Sequence, residues 1–565
     1  MKKFTLAAIF LVIIALSIGA FIYAEGRSNT AVPTNAANPQ AILSMPTVFS
    51  DGMVFQRNAP INVFGYSKVN GATVEVTLGD ASASARVSGG KWSVTLPAME
   101  AMRGLTLTVS GAGTTLTFSD VDIGEIWVIS GQSNAVYELW KMKGYEDYLL
   151  NADNFDNIRV FTTPKDPVPT AENQLYGNGR WYNVDRDYLK NAAVDYYISS
   201  VGYVMATRLA AEFGSEVTVA IMNLCVSGTG IETWLDPDTL GGNDGATHDA
   251  YVNFYEKNGR WPESTSDTPY YKSNIDTTKS LPGIHYTCQI GPYEGFRAGG
   301  VIWYQGESNM GTSSIASYPT QFNSLKSAYR SAFANPSLPF FVIQLQPYLG
   351  KSDTHSSFRA MQNELAAADE SVYIIAATRD GGVFTTNDIG YSSGIFVHNS
   401  QKEPIGLKLA DAVLDKIYSV GDSLCAPEIV KAEISGRYII LTFDSDIELY
   451  FGDKALGFEI GMNGSFDKAT AVIDGNKITL SNFLVSAPTE VRYGFGETTV
   501  EHESGERMAF TSSNHTAAAK EVKITHEGEN YVYKADSGTA LSMTVGGNIT
   551  NATGAPLPVF ILYLK

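Results

Sequence analysis

GEIWVISGQSNA, residues 124 to 135, is the stretch that decides the reading of this chain. Ile126 to Ile129 make an apolar run of strand length, and the run breaks at Ser130-Gly131 into a small polar turn carrying Ser133. A buried strand that ends in such a turn is how α/β enzymes present a nucleophilic serine, because the strand fixes the backbone while glycine permits the strained turn. An ordinary strand-to-loop junction uses the same residues, since Ser and Gly dominate turns of every kind. Ser133 enters as a candidate nucleophile.

A second stretch narrows the choice. GGVIWYQGESNM, residues 299 to 310, is again a short apolar strand (Val301 to Tyr304) that stops at a cluster of side-chain donors and acceptors: Gln305, Glu307, Ser308 and Asn309. In an open parallel sheet the ligand crevice lies off the carboxyl ends of the strands, so two strands ending this way are expected to face one crevice.

With both turns in view, the chain resembles the sialate O-acetylesterases within the wider SGNH (GDSL-like) hydrolase group. GQSN and WYQGESN carry the resemblance. It is accompanied, in the family's order, by FSDGMVFQR at Phe49 to Arg57, SSVGY at Ser199 to Tyr203, GTGIETW at Gly228 to Trp234, LPFFVIQLQPY at Leu338 to Tyr348 and FRAMQ at Phe358 to Gln362. The resemblance implies an α/β fold with an SGNH-hydrolase-like parallel sheet flanked by helices, and β domains on its N-terminal and C-terminal sides. It also implies hydrolysis of O-acetyl esters on sialic acids without metal or cofactor. Acetylated xylan and related glycans are the second substrate class, and a catalytically silent glycan-binding protein is the rival reading.

Ester hydrolysis needs a nucleophile, a base that takes its proton, and donors for the tetrahedral oxyanion. His398 stands in FVHNSQKEPIGLKLADAV, where the family carries His-Pro-x-x-Lys ahead of a Gly-x-x-Leu-Ala helix. The spacing to Lys402, Gly406 and Leu409 is kept, and Asn399 replaces the proline. His398 is thus the expected base, with His248, His285 and His355 in reserve. Many relatives place an aspartate two residues before this histidine, and here that residue is Phe396. Glu307 is the first substitute, because related acetylesterases take their triad acid from a Gln-Gly-Glu motif. Asp388 and Asp380 are the alternatives, then a backbone carbonyl. A glutamate that only pairs with a nearby arginine is the bland reading of Glu307. Three oxyanion donors are expected: the N–H of Ser133, the N–H of Gly228 in CVSGTG, which matches a family glycine, and the side-chain amide of Gln305, with Asn309 as fallback.

The remainder of the chain sets the context. Lys2 and Lys3 precede an apolar stretch from Phe4 to Tyr23 ending at Ala24, which reads as a secretory signal over residues 1 to 24, its length also permitting an uncleaved anchor. Residues 25 to 44 read as a flexible linker of Asn, Thr, Ala, Pro and Ser. Short alternating segments from 45 to 120 predict a β-sandwich. Strands alternating with helices from 121 to 420 predict the catalytic domain. Strands return from 426 to 565, interrupted, by comparison with the family, by an insertion near 499 to 546. Cys225, Cys288 and Cys425 are too scattered for a disulfide scaffold or zinc site. A formal net charge of -19 argues against nucleic acid as a partner, which needs a basic stripe. Asp236 to Leu281, with Tyr251, Tyr255, Trp261, Tyr270 and Tyr271, is long for a connection and reads either as a lid for flat sugar faces or as a small satellite core.

Overall fold

The computed structural model of the chain describes residues 37–564 apart from 165–170, 192–196, 238–281, 347–352, 378–382, 386–396, 399, 421–425, 450–453, 496–497, 503–506, 511–520, 527–528, 535–539, 546–548 and 553–555. The expected leader, nearly all of the aromatic segment, His248, Asp380, Asp388, Phe396, Asn399 and Cys425 lie outside the described residues.

Seven strands form the main path of an 11-stranded sheet: β1 (Thr114–Gly131), β2 (Ile158–Thr162), β3 (Arg180–Asn183), β4 (Val219–Cys225), β5 (Gly300–Tyr304), β6 (Phe340–Ile343) and β7 (Val372–Ile375). Their spatial order is β3-β2-β4-β1-β5-β6-β7. All neighbouring pairs are parallel except the edge pair of β3 with β2. The second half of β1, all of β4 and all of β5 are buried residue after residue. A parallel sheet covered on both faces requires such unbroken apolar strands, because neither face meets water.

The order turns back at β1, which has β4 on one side and β5 on the other, and this is where an open α/β sheet leaves a crevice. Cys225 and Tyr304 are both paired with Gly131, so three strands end at one level.

Two of the flanking helices matter for the site. Helix α1 (Ser200–Phe213) begins at Ser199, whose side chain accepts from the Gly202 N–H, and stops at Gly214. Helix α2 (Glu403–Tyr418) carries Pro404 in its first turn, where a missing N–H costs nothing. The two helices pack against each other, which seats the residues just before α2 beside the sheet.

The expected boundary near residue 120 falls inside β1. This single strand of 18 residues pairs with Met102–Gly111 in its first half and with β4 and β5 in its second. One hydrophobic core runs from Leu43, Val63 and Trp92 through Trp127 to Leu409. At the junction Arg159 pairs with Asp120 and Asp122, both at 2.8 Å, and Arg57 pairs with Glu125 at 2.5 Å. Local alternation reveals strands but not that one of them is shared by two layers, since pairing is a non-local property.

The C-terminal region has a core of its own, built on Ile439, Leu441, Ile460, Val491 and Phe560. The expected insertion contributes five strands, from Thr498–His502 to Ala540–Val545, to a six-stranded sheet. The sixth strand is Val383–Thr385, in the segment that leads to His398, and it pairs antiparallel with Ala540–Ser542.

Candidate active site

Gly131 closes β1 at φ +132°, and a Cβ there would stand 2.2 Å from the carbonyl oxygen of Tyr304. Only glycine lets the ends of β1 and β5 come this close. The Gln132 N–H then donates to that same oxygen at 3.0 Å, and the chain turns into the short helix Ser133–Val136. Ser133 is its first residue and is half-buried. First-turn N–H groups have no acceptor within their own helix, and among the described residues none is found for the Ser133 N–H. Across the crevice, past the end of β4, Gly228 is exposed at φ +76° with open space where a side chain would be.

The turn after β5 is knitted into the protein. Gln305 is fully buried. Its Nε2 lies 3.0 Å from Gln132 Oε1, 3.1 Å from the Thr229 carbonyl and 2.7 Å from Asn309 Oδ1, and its Oε1 accepts from the Tyr318 hydroxyl at 2.7 Å. Three protein acceptors thus compete for the two hydrogens of the amide that was expected to be the side-chain oxyanion donor. Asn309 is placed differently. Its Oδ1 accepts from the Ile231 N–H at 2.9 Å and from Gln305, and its Nδ2 donates to Glu232 Oε2 at 2.9 Å. The second Nδ2 hydrogen has no partner among the described residues. These bonds also fix the loop that follows Gly228 to the QGESN turn.

Asn134, beside the serine, joins the remaining parts. Its Nδ2 donates to Glu307 Oε1 at 2.5 Å and to the Val397 carbonyl at 2.8 Å, and its Oδ1 accepts from Lys402 Nζ at 2.6 Å. Residues 133–134 and 397–398, remote in sequence, therefore meet at the crevice. Gln346, beyond the end of β6, also reaches the Val397 carbonyl, at 3.4 Å, and accepts from Lys402 Nζ at 3.3 Å and from the Tyr304 hydroxyl at 3.2 Å.

The expected triad contacts are not closed. No hydrogen bond joins the His398 ring to Ser133 Oγ or to Glu307, and the His398 Nε2 and Glu307 Oε2 atoms are both shut off from solvent without a partner among the described residues. Burial, then the Lys402 and Lys141 charges, lowers the His398 pKa to about 4. Burial raises the Glu307 pKa, against the pull of the Asn134 hydrogen bond, its own backbone N–H and the Lys402 charge. A made carboxylate–imidazolium bond would drive both groups the other way, so these directions belong to an unpaired site. The reserve histidines have other settings: His285 packs on Trp234 at 4.9 Å between ring centroids, and His355 is buried.

Four residues of this network were not anticipated: Gln132, Asn134, Glu232 and Gln346. Gln132 and Asn134 stand inside the quoted GQSN, and the signal available was that polar side chains at buried strand ends must find partners.

A family model described as "Carbohydrate esterase, sialic acid-specific acetylesterase" matches residues 123–414. The sialate O-acetylesterase of Homo sapiens is 24% identical over 336 residues, which are 55% of this chain and 58% of that protein. Its counterpart from Mus musculus is 25% identical over 338 residues, 54% and 60% of the two chains. The chain thus spans less than two thirds of the length of these relatives. The crystal structure of a carbohydrate acetylesterase from Xanthomonas citri is similar with a TM-score of 0.67 and 25% identity, covering 92% of this chain and 99% of that one.

Proposed function

The chain belongs to the carbohydrate esterase family of sialic acid-specific acetylesterases, and from that membership we propose that it is an exported enzyme removing O-acetyl groups from glycans, sialic acids first, by an SGNH-type serine mechanism. Ser133 Oγ attacks the acetyl carbonyl while His398 takes its proton. The tetrahedral oxyanion is held by the N–H groups of Ser133 and Gly228, and Asn309 Nδ2 takes the side-chain role first expected of Gln305. Collapse breaks the bond to the sugar oxygen, which leaves as a hydroxyl with the proton from His398, and the acetyl group stays on Ser133. Water then attacks the acetyl-serine, giving one proton to His398; collapse of the second intermediate breaks the bond to Ser133 Oγ, which takes that proton back from His398, and the acetyl group leaves as acetic acid. Glu307 is the acid that orients His398. Its free Oε2 and the free Nε2 of His398 are two buried groups each lacking a partner, and catalytic hydrogen bonds are often long before substrate closes the site.

The observation that carries this reading is the Ser133 N–H and hydroxyl, without a partner among the described residues at the switch-point strand end, with the histidine turn bonded to the very next residue, Asn134. Acetate release should be measured on 9-O-acetyl sialic acid, acetylated xylan and acetylated glucosides, beside Ser133→Ala. Serine-dependent release, fastest on the sialic acid ester, is the expected outcome. Glycan retention without release by the unaltered protein would replace the enzyme with a binding protein.

A further inference from the structure

Lys402 is fully buried, and an ammonium removed from water is costly unless strong interactions compensate. Its Nζ donates to Asn134 Oδ1 at 2.6 Å and to Gln346 Oε1 at 3.3 Å, and lies 5.1 Å and 5.3 Å from the ring centroids of Tyr137 and Tyr304. These contacts come from three places: the serine turn, the end of β5 and the segment after β6. The two amides that Lys402 holds are the same two that reach the Val397 carbonyl, one residue before His398. A side chain serving only the core would not need its charge at the point where the serine and histidine turns meet.

Resting on the esterase reading, we propose that Lys402 is the positioning residue of this site: its ammonium clamps Asn134 and Gln346 so that they hold the histidine turn against the serine turn. Lys402 touches neither the ester nor the reacting atoms, and acts through Asn134, Gln346 and the field at the ring. Other charged groups among the described residues also lie on this side. Lys141 adds to the positive field, partly offset by its ion pair with Glu138 at 2.5 Å. Glu307 faces the site from the turn after β5 and is tied to Asn134. Glu403, next to Lys402, accepts from the Tyr148 hydroxyl at 2.8 Å. Of the two lysines near the ring, Lys402 acts more strongly, as its depth in the protein requires, because screening is weak there.

The test is the pH dependence of kcat/KM in the full chain for the unaltered protein, Lys402→Met and Gln346→Glu. Methionine keeps the length and removes the charge; glutamate keeps the shape of Gln346 and sets a negative charge against Lys402. In both, the acidic limb should move upward from near pH 4, part of the way toward the ordinary imidazole value, because burial, the larger cause, remains. In Lys402→Met, kcat on the plateau should also fall about tenfold or more with KM nearly unchanged, because the clamp acts on the reacting geometry and not on substrate binding. A limb that stays near pH 4 in a folded variant would overturn the proposal, and Gln346→Glu decides alone if Lys402→Met does not fold. Titration of the His398 ring by NMR in a Ser133→Ala background, with and without Lys402→Met, reads the same shift without turnover. Loss of the esterase reading and loss of the lysine's role are then separate results.

Discussion

Two strands leave the central sheet side by side, β1 into GQSN and β5 into QGESN, and they use similar residues in opposite ways. After β1 the serine N–H and hydroxyl have no partner among the described residues, and the neighbouring Asn134 does the bonding. After β5 the Gln305 amide is engaged on both atoms, with Gln132, Thr229, Asn309 and Tyr318, and Asn309 with Ile231 and Glu232, while Glu307 Oε2 has no partner among the described residues. One turn presents the candidate nucleophile, and the buried Gln305 of the other ties that end of the crevice together. A strand end can stay reactive only if a neighbour supplies the rigidity it lacks, since catalytic groups tolerate errors of roughly half an ångström.

The contrast is broken most severely at the two ends themselves. Ser133→Ala should lower acetate release by about four orders of magnitude or more, because a nucleophile has no substitute, with thermal stability unchanged since the hydroxyl bonds to nothing. Gln305→Ala should do the reverse. Removing a fully buried amide takes the donor from the Thr229 carbonyl and the acceptor from the Tyr318 hydroxyl hydrogen, each unsatisfied group costing about 1–3 kcal/mol, so the melting temperature falls by several degrees and kcat only in its wake. A Ser133→Ala protein that melts early, or a Gln305→Ala protein that loses kcat at full stability, would undo the division of labour.

Asn309→Ala sharpens it. If the second Nδ2 hydrogen of Asn309 meets the oxyanion, kcat falls about 100- to 1000-fold with KM little changed, as for one lost oxyanion donor. A loss under tenfold would return that role to Gln305 or leave it to the two backbone N–H groups.

The sequence made the central sheet legible because its strands are short, apolar and closed by polar turns, and α1 and α2 because their apolar spacing and start signals agree. Both strand ends of the crevice could be named for the same reason. The individual roles within QGESN could not, because whether Gln305 or Asn309 has a free hydrogen depends on Gln132, Thr229 and Tyr318, which lie elsewhere in the chain. The joining of β1 across two layers and the pairing of Val383–Thr385 with Ala540–Ser542 were hidden likewise, being contacts between distant segments. Lys402 was visible only as a spacing from His398. Its burial between two amides and two rings is a tertiary fact.

The smallest expected effect concerns the histidine that both turns serve. A general base works only when neutral, and burial with the Lys402 and Lys141 charges lowers His398 to about 4. On going from pH 6.5 to pH 5, the neutral fraction of such a ring falls by only about a tenth, whereas an imidazole at its ordinary value would keep only a few per cent. kcat/KM should therefore be nearly flat across that interval and fall only as pH approaches 4. Fold stability should move in the same window with a definite sign. Between 6.5 and about 4 the unfolded chain takes up a proton that the folded site refuses, so His398 makes the protein less stable as pH falls. His398→Gln removes that part of the slope. A rate already halved at pH 6, with the slope unchanged in His398→Gln, would mean that the ring sits in water and not behind the turn that Asn134 holds.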